Sequence, residues 1–357
     1  MKVDEMLKST RSWIAPRRGG GIVVSSRIRL ARNISGLPFP SWGGSDASKK
    51  LYKKLAHLFV GLDSLQDAVV LPLEDISQVD REVLCERRLI SGELVEKGAG
   101  SGIVVDEKQR VAVMINEEDH LRLQVLRPGL DLLNAWKLLN QIDSELEHHI
   151  RYAFSPTLGY LTSCPSNVGT GMRVSVMLHL PGLKLMNEID RVVTGMNRMG
   201  FAVRGTFGEG SDEFGNMYQI SNQATLGISE FETVRRVQDI AETLVEIEMN
   251  TRKLLLQKRE LSVRDFVSRA VGVYKYAVML STGETLDLLS ALRLGLDFDM
   301  LSGVSLSRIN EMMLMVQPGH IQKKVGRELS VKERDMMRSK LMRHGLKGLR
   351  ITKWNSD

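Results

Sequence analysis

Cysteine is almost missing from this chain: only two thiols, Cys85 and Cys164, stand among 357 residues. Two thiols cannot build a disulfide framework for a chain this long, and they are expected to stay reduced in a cytosolic setting. No Cys/His cluster has zinc spacing; the nearest thing, His148-His149, reads as a solvated helix end. No apolar run approaches the roughly 20 residues that span a bilayer. The start, Met1-Lys2-Val3-Asp4-Glu5, lacks the apolar core of a signal peptide. The expectation is a cytoplasmic protein without membrane contact. Internal repeats and low-complexity stretches are also lacking.

What the chain does have is an ordinary globular balance, 43% hydrophobic and 26% charged, able to bury a full core. Its length favours two domains over one. The net charge of +6 points to anionic partners: nucleic acid, acidic protein or polyphosphate. Charge alone does not choose among them; the placement of the arginines does.

Hydrophobic periodicity gives the outline. Residues 22–30 alternate toward their end as a strand does, and 47–62 read as a helix ending near Gly61. Strands follow at 110–116 and 119–126; Pro128-Gly129 stops them, and a helix runs to about residue 147. Residues 171–180 give another strand. Residues 183–199 set Met186, Ile189, Val193 and Met196 on one helical face, with Gly200 as a C-terminal cap. Two more strands, 201–207 and 216–221, flank a Gly-rich turn. The pattern predicts an α+β fold, an antiparallel sheet flanked by helices rather than a doubly wound one. Ser229 with Glu232 forms a capping-box pattern, and Val234, Val237, Ala241 and Leu244 carry an apolar stripe toward Arg259. Everything after that is helical in pattern, Met-rich and basic. The expected division is 1–256, mixed, and 257–357, all-helical, with Met312, Met313, Leu314 and Met315 as core or dimer seam.

Four segments carry chemistry. In Asn116-Glu117-Glu118-Asp119-His120-Leu121-Arg122 three consecutive acids sit in a strand-to-strand turn, which reads equally well as a solvated turn. Thr162 to Arg173 places Cys164 beside Gly169-Thr170-Gly171 and ends on an arginine. Glycines let a backbone approach a phosphate, and the arginine adds a fork of donors; the plain alternative is a tight loop with a buried thiol. Arg204-Gly205-Thr206-Phe207-Gly208-Glu209-Gly210 runs from a strand into a turn bearing one carboxylate. In Ser25-Ser26-Arg27-Ile28-Arg29-Leu30-Ala31-Arg32, Arg27 and Arg29 share one face of a strand, where they repel unless an anion lies between them.

Together the SSRIR strand, NEEDHLR, the CPSNVGTGMR loop and the RGTFGEG turn, in that order, resemble the ATP:guanidino phosphotransferase family, which includes creatine and arginine kinases. The resemblance implies a catalytic domain in 1–256 that binds ATP through Arg27, Arg29, Arg122, Arg173 and Arg204. Positioned cations suit a dispersed phosphoryl transition state, and the chain has no GxxxxGK[ST] to hold phosphates in the P-loop manner. It implies Mg2+ held mostly by phosphates and water, with no protein metal ligand. Glu118 matches the family's catalytic carboxylate and Glu209 its second. A guanidinium is protonated at physiological pH and is no nucleophile. A carboxylate pair can therefore grip its fork, align one nitrogen and take its proton, with Glu118 as base and Glu209 as orienting partner. Cys164 matches the family's reactive cysteine, expected as a thiolate that tunes the reaction without a covalent intermediate.

Within the family, creatine-type and arginine-type kinases carry a helical domain before the SSR strand that closes over a small substrate. Here the strand begins at Ser25, which leads to the expectation of an uncovered site admitting arginine side chains of proteins, as in the bacterial protein arginine kinases. Gln317-Pro318-Gly319-His320 and Arg334-Asp335-Met336-Met337-Arg338 resemble that subfamily's helical domain. There an Arg-Asp-x-x-Arg motif forms an allosteric phosphoarginine pocket, implying Arg334, Asp335 and Arg338 in that role. Ser339 stands where the subfamily usually has alanine, and a plain salt-bridged helix is the alternative. The resemblance further implies a homodimer, coupling to a Clp-type unfoldase–protease and an activator protein, and a place in stress response and protein quality control, marking proteins for regulated degradation. The rival readings are a small-molecule guanidino kinase, or a non-catalytic binder of phosphoarginine or nucleic acid.

Overall fold

In the computed structural model, which describes residues 13–14, 21–205 and 214–352, the SSRIRLAR alternation becomes an interior strand. The elements run β1 (Val23–Arg32), α1 (Pro40–Val60), β2 (Ala68–Pro72), α2 (Gln78–Glu86), α3 (Gly92–Val95), β3 (Gly102–Asp106), β4 (Val111–Ile115), β5 (Leu121–Pro128) and α4 (Leu132–His149). Then come β6 (Phe154–Ser155), β7 (Gly159–Tyr160), β8 (Met172–His179), α5 (Pro181–Leu185), α6 (Ile189–Arg198), β9 (Phe201–Gly205) and β10 (Met217–Asn222). The remainder is nearly all helix: α7 (Glu230–Tyr276), α8 (Thr282–Asp297), α9 (Leu306–Met315), α10 (Pro318–Val325) and α11 (Val331–Gly345), with the short strands β11 (Leu301–Ser302) and β12 (Arg350–Ile351). The main sheet has the order β2-β3-β4-β5-β1-β8-β10-β9. The fold is α+β with a helical C-terminal region. No helix among the described residues is long and apolar enough to cross a membrane.

The chain groups into two compact units, one built mainly from Ser25–Val176 with Ser221–Asp239, the other from Met177–Ile220 with Ile240–Asp357. In the first, antiparallel pairing sets Arg27 opposite Leu126, Arg29 opposite Gln124 and Ala31 opposite Arg122. Directly opposed residues share a face, so Arg27, Arg29 and Arg122 emerge on one side of the sheet. On the other side lie Ile28, Leu30, Leu123 and Val125, all without solvent exposure. They meet α4, which packs on β5 with Leu132, Ala135, Leu139, Ile142 and Leu146 buried. Each such side chain contributes about 1.5–3 kcal/mol on burial. The arginine-bearing face is itself covered over β3 and β4, where Ile103, Val105, Ala112 and Met114 join Leu73, Leu84, Leu89 and Leu94. That apolar cover ends where the arginines begin.

Arg32, the last arginine of the strand, has even parity and points the opposite way from Arg27 and Arg29. It is 1% exposed and meets Asp143 of α4 at 2.7 Å. Tyr152 donates to Asp143 Oδ1 at 3.1 Å, Arg32 Nη1 donates to Thr170 O at 2.8 Å, and the guanidinium lies 3.6 Å from the Tyr160 ring centroid.

In the second unit α8 is buried along most of its length. Glu248, with no exposure, accepts from Gly182 N and Leu183 N at the start of α5 and pairs with Arg252 at 2.6 Å. Arg252 also reaches Asp297 at 2.6 Å. The expected continuous helix over 183–199 is two helices. Asn187 takes a left-handed φ of 60° between α5 and α6, so Met186 does not continue the stripe of Ile189 and Met196. Gly200, at φ 82°, follows α6 in the left-handed conformation that terminates helices. Ser229 Oγ accepts from Glu232 N at 3.2 Å, while the Glu232 carboxylate reaches Arg236 at 3.6 Å. The helix that begins there passes Arg259 and reaches Tyr276, with non-helical torsions at Arg259 itself. Met312, Met313 and Leu314 are buried core.

Asp143→Ala leaves the Arg32 charge buried without its partner, a change that costs about 3–5 kcal/mol. Urea unfolding should show a loss of that size; a loss under about 1 kcal/mol would mean the pair is not what fastens β1 to α4.

Candidate active site

The sheet face bearing Arg27, Arg29 and Arg122 gathers two further arginines. Arg173, at the start of β8, donates from Nη2 to Ser221 Oγ at 3.0 Å. Arg88 arrives from outside the sheet. Residues 84–89 close α2, with Arg88 N bonded to Cys85 O and Arg88 itself at φ 61°, where glycine is the usual occupant. The Gln124 side chain, opposite Arg29, donates to Arg88 O at 2.7 Å and Leu89 O at 3.0 Å, fixing this turn against the strand. Arg88 also lies 5.2 Å from the Trp13 ring, whose Nε1 donates to Arg87 O.

Like charges this close perturb one another. Desolvation first, then Arg88, Arg122 and Arg173, hold the Arg27 guanidinium well below its ordinary pKa. Burial followed by Arg27, Arg122 and Arg173 does the same to Arg29. Burial alone brings Arg88 down to about 10. Arg29 Nε is buried with no hydrogen-bond partner. Arg122 escapes the trend. Burial pulls it down, but Glu117 at 2.6 Å lifts it above the ordinary value. Glu117 is itself depressed, burial being outweighed by Arg122 and by the hydroxyl of Ser91, which donates to it. Among the described residues, Glu117 is the buried carboxylate paired with this group of five guanidinium groups. A polyanion suits such a cluster.

The acidic turn beside this cluster is not solvated. Glu117 is 1% and Asp119 3% exposed, which overturns the solvated-turn alternative. Asn116 closes the turn at φ 55°, its N–H bonded to His120 O at 3.0 Å. Asp119 accepts from Asn33 Nδ2 and from Ser163 N, both at 2.6 Å, and Ser163 Oγ donates to Glu118 O at 2.8 Å. This lashes the segment preceding Cys164 to the Glu118 backbone, so two residues 46 positions apart in sequence become neighbours. Cys164 is half-buried, its Sγ 3.0 Å from Ser166 Oγ. His120 Nδ1 accepts from Ile34 N, so Nε2 carries the proton toward Pro38 O; burial lowers its pKa and keeps it neutral. Glu118 is the half-exposed member of the turn. Desolvation, then Asp119, Glu93 and Glu117, raise its carboxyl above the ordinary range despite Arg122.

Of the residues singled out in the sequence, the structure brings Arg27, Arg29, Arg122 and Arg173 into one cluster and sets Glu118 and Cys164 on adjoining segments. Arg204 stands on β9 in the second unit, and Glu209 lies outside the described residues. The loop glycines have a different origin from phosphate approach. A Cβ on Gly169 would meet Thr225 O at 2.1 Å, and one on Gly171 would meet Ala31 O at 2.6 Å, so the protein's own backbone demands them. In the second unit, Arg334 Nη1 donates to Leu329 O at 2.8 Å. Arg338 is 1% exposed and donates to Val316 O, Leu280 O and Asp335 Oδ1. The Ser339 hydroxyl, buried, donates to Ala277 O.

Residues 50–251 match the model of the ATP:guanido phosphotransferase C-terminal catalytic domain, and residues 260–356 match the protein-arginine kinase McsB C-terminal domain. A protein-arginine kinase of Halothermothrix orenii is 41% identical over 346 residues, covering 95% of this chain and 97% of that one. Another, from Bacillus subtilis, is 41% identical over 327 residues, 91% of this chain and 90% of its own. This chain belongs to the ATP:guanido phosphotransferase family, in its protein-arginine kinase branch. Among solved structures, the duplicated taurocyamine kinase of Schistosoma mansoni with bound transition-state analogue components is 26% identical with a TM-score of 0.61. The match covers 72% of this kinase and 38% of that longer chain. Lombricine kinase, at 24% identity and a TM-score of 0.55, shares the fold.

Sequence reading alone missed Arg88 and Asn33 at this site and gave Asp119, though inside a segment it singled out, no role of its own. Arg88 lay in no motif, and only its place just after a helix end in Arg87-Arg88 hinted at it.

Mutual repulsion within a cluster of buried cations lowers the stability of the free kinase and raises its gain from an anion. ATP at 100 times its Kd should add about 2.7 kcal/mol to wild type. Arg29→Ala should melt no lower than wild type without nucleotide and gain clearly less with it; an equal gain would remove Arg29 from the anion site.

Proposed function

We propose that this kinase transfers the γ-phosphate of ATP to the guanidino group of arginine side chains in proteins. The observation that carries the reading is the gathering of five arginines at one sheet face with a raised, half-exposed carboxyl group in the adjoining β4–β5 turn. The substrate class draws its support from the protein-arginine kinases that match nearly the whole chain.

In this reading Arg27, Arg29, Arg122 and Arg173, with Arg204 from β9, hold the ATP phosphates, and Arg88 adds to them. Mg2+, with no protein ligand proposed for it, would be held by phosphate and water oxygens. When bound, the ion draws off charge developing on the transferred group. Glu118 accepts the guanidinium proton as the nitrogen attacks phosphorus, and a carboxyl already raised toward neutrality is better matched to that task than an ordinary one. Glu209 orients the second edge of the fork, and Cys164, beside the Glu118 loop, tunes the approach. The catalytic part extends to about residue 256 and the helical part follows it. Within the latter, Arg334, Asp335 and Arg338 form the allosteric phosphoarginine site. A homodimer, a cytoplasmic setting, an activator, a Clp-type unfoldase–protease that receives the marked proteins, and a role in stress-linked quality control rest on the family resemblance.

Incubation with ATP, Mg2+, an arginine-rich protein and, separately, free arginine tests this, with mass spectrometry for acid-labile phosphate. Phosphate should appear on protein arginines, and Glu118→Gln should cut it by about 10²–10⁴-fold while ATP binding persists. Phosphate found solely on free arginine would favour the small-molecule kinase instead. The pH profile gives a second check. A base works only when ionised, so activity is lost as pH falls through the Glu118 pKa. Because that pKa is raised, the acid limb of kcat/KM should lie above the ordinary glutamate value of about 4.3. A limb at or below it would exclude Glu118 as the base.

A further inference from the structure

Against the Glu118 turn lies a pocket of about 280 Å³ that phosphoryl transfer does not use. Its walls are mainly apolar, from Leu37, Pro38, Pro40 and Leu51, and the turn itself contributes Asn116 and His120, which flank Glu118 on either side in sequence. Asn116 is 2% exposed, and its orientation is fixed: Nδ2 donates to Ser48 O at 3.0 Å and to Gly100 O at 2.7 Å. That leaves Oδ1, a buried acceptor with no hydrogen-bond partner. An unmet acceptor of this kind is costly, and the cost is recovered when a donor enters from outside. Lys50 and Lys54 also line the pocket, both exposed and one helical turn apart on α1.

We propose that this pocket seats the substrate polypeptide beside its target arginine. An apolar side chain enters between the prolines and leucines, a main-chain N–H of the substrate donates to Asn116 Oδ1, and a neighbouring acidic residue meets Lys50 and Lys54. The inference rests on the protein-substrate reading and deepens it. Asn116 and Glu118 are two residues apart, hence within about 7 Å along the chain, and an extended peptide advances about 3.3 Å per residue. The seated residue therefore lies only a few positions from the arginine. At about 280 Å³ the space falls just under the roughly 300–1,000 Å³ of small-molecule sites. A single side chain with its main chain fits it better than a cofactor. A positive rim around an apolar cleft selects an acidic, partly apolar flank.

The test uses two arginine peptides of equal length, one with leucine and aspartate a few residues from the arginine, the other with glycine and lysine there. The full-length kinase should favour the first by about tenfold in kcat/KM. Ala47→Trp, an exposed pocket position filled by an indole, should abolish the preference through KM, with kcat and the KM for ATP unchanged. Lys50→Glu with Lys54→Glu should turn the charge preference around. A wild type indifferent to the flanks, or variants that keep the wild-type preference, would overturn the pocket assignment even though proteins are phosphorylated. If wild type phosphorylates free arginine and neither peptide, the protein-substrate reading fails and this inference falls with it.

Discussion

Mutual repulsion among guanidinium groups is the constraint around which the first unit is arranged. Arg27, Arg29, Arg88, Arg122 and Arg173 would separate if the backbone let them. The sheet does not let three of them: β1 and β5 are locked in register, and a shift of one residue would turn Arg27 and Arg29 into the apolar core and Ile28 and Leu30 out of it. Gln124 fastens the fourth by its backbone, and Ser221 holds the fifth. The apolar packing behind the sheet carries the free energy that keeps these charges in place before any ligand arrives. Preorganisation of this kind is what an electrostatic catalyst needs, because no reorientation remains to be done when charge moves.

The same logic governs the acids. Glu117, Glu118 and Asp119 are consecutive, yet each has a different environment. Glu117 faces Arg122 and Ser91 and stays charged below its usual range. Asp119 is consumed in binding Asn33 and the chain before Cys164. Glu118, desolvated and set between Glu117 and Asp119, is the one whose proton is held more tightly. Two neighbours act as spacer and brace, and the middle residue is available for proton transfer.

Much of this was legible in residue order. Alternation alone put Arg27 and Arg29 on one face, and the same parity, followed through, sends Arg32 to Asp143 on the other. Six of the eight strands of the main sheet, the long helix from Ser229 and the helical character beyond Arg259 were visible as periods of 2 and 3.6, whereas β2 and β3 were not. What stayed hidden depended on distant pairing. Nothing near Asp119 announces Asn33, which lies 86 positions away. Arg88 reaches the cluster through a left-handed turn, and periodicity carries no information about such turns. The stripe from Met186 to Met196 misled because side-chain pattern says nothing of a backbone reversal at Asn187.

Arg88 brings two demands into conflict at one position. A left-handed backbone there suits glycine, since a side chain on that conformation is strained by roughly 1 kcal/mol or more. Replacing it with glycine would relax the turn after α2 and ease the crowding of cations, giving a sturdier protein. It would also strip a donor from the anion-facing surface. At this one position the backbone conformation favours glycine while the place beside the cationic cluster is taken by a guanidinium, and the turn carries the strain of both.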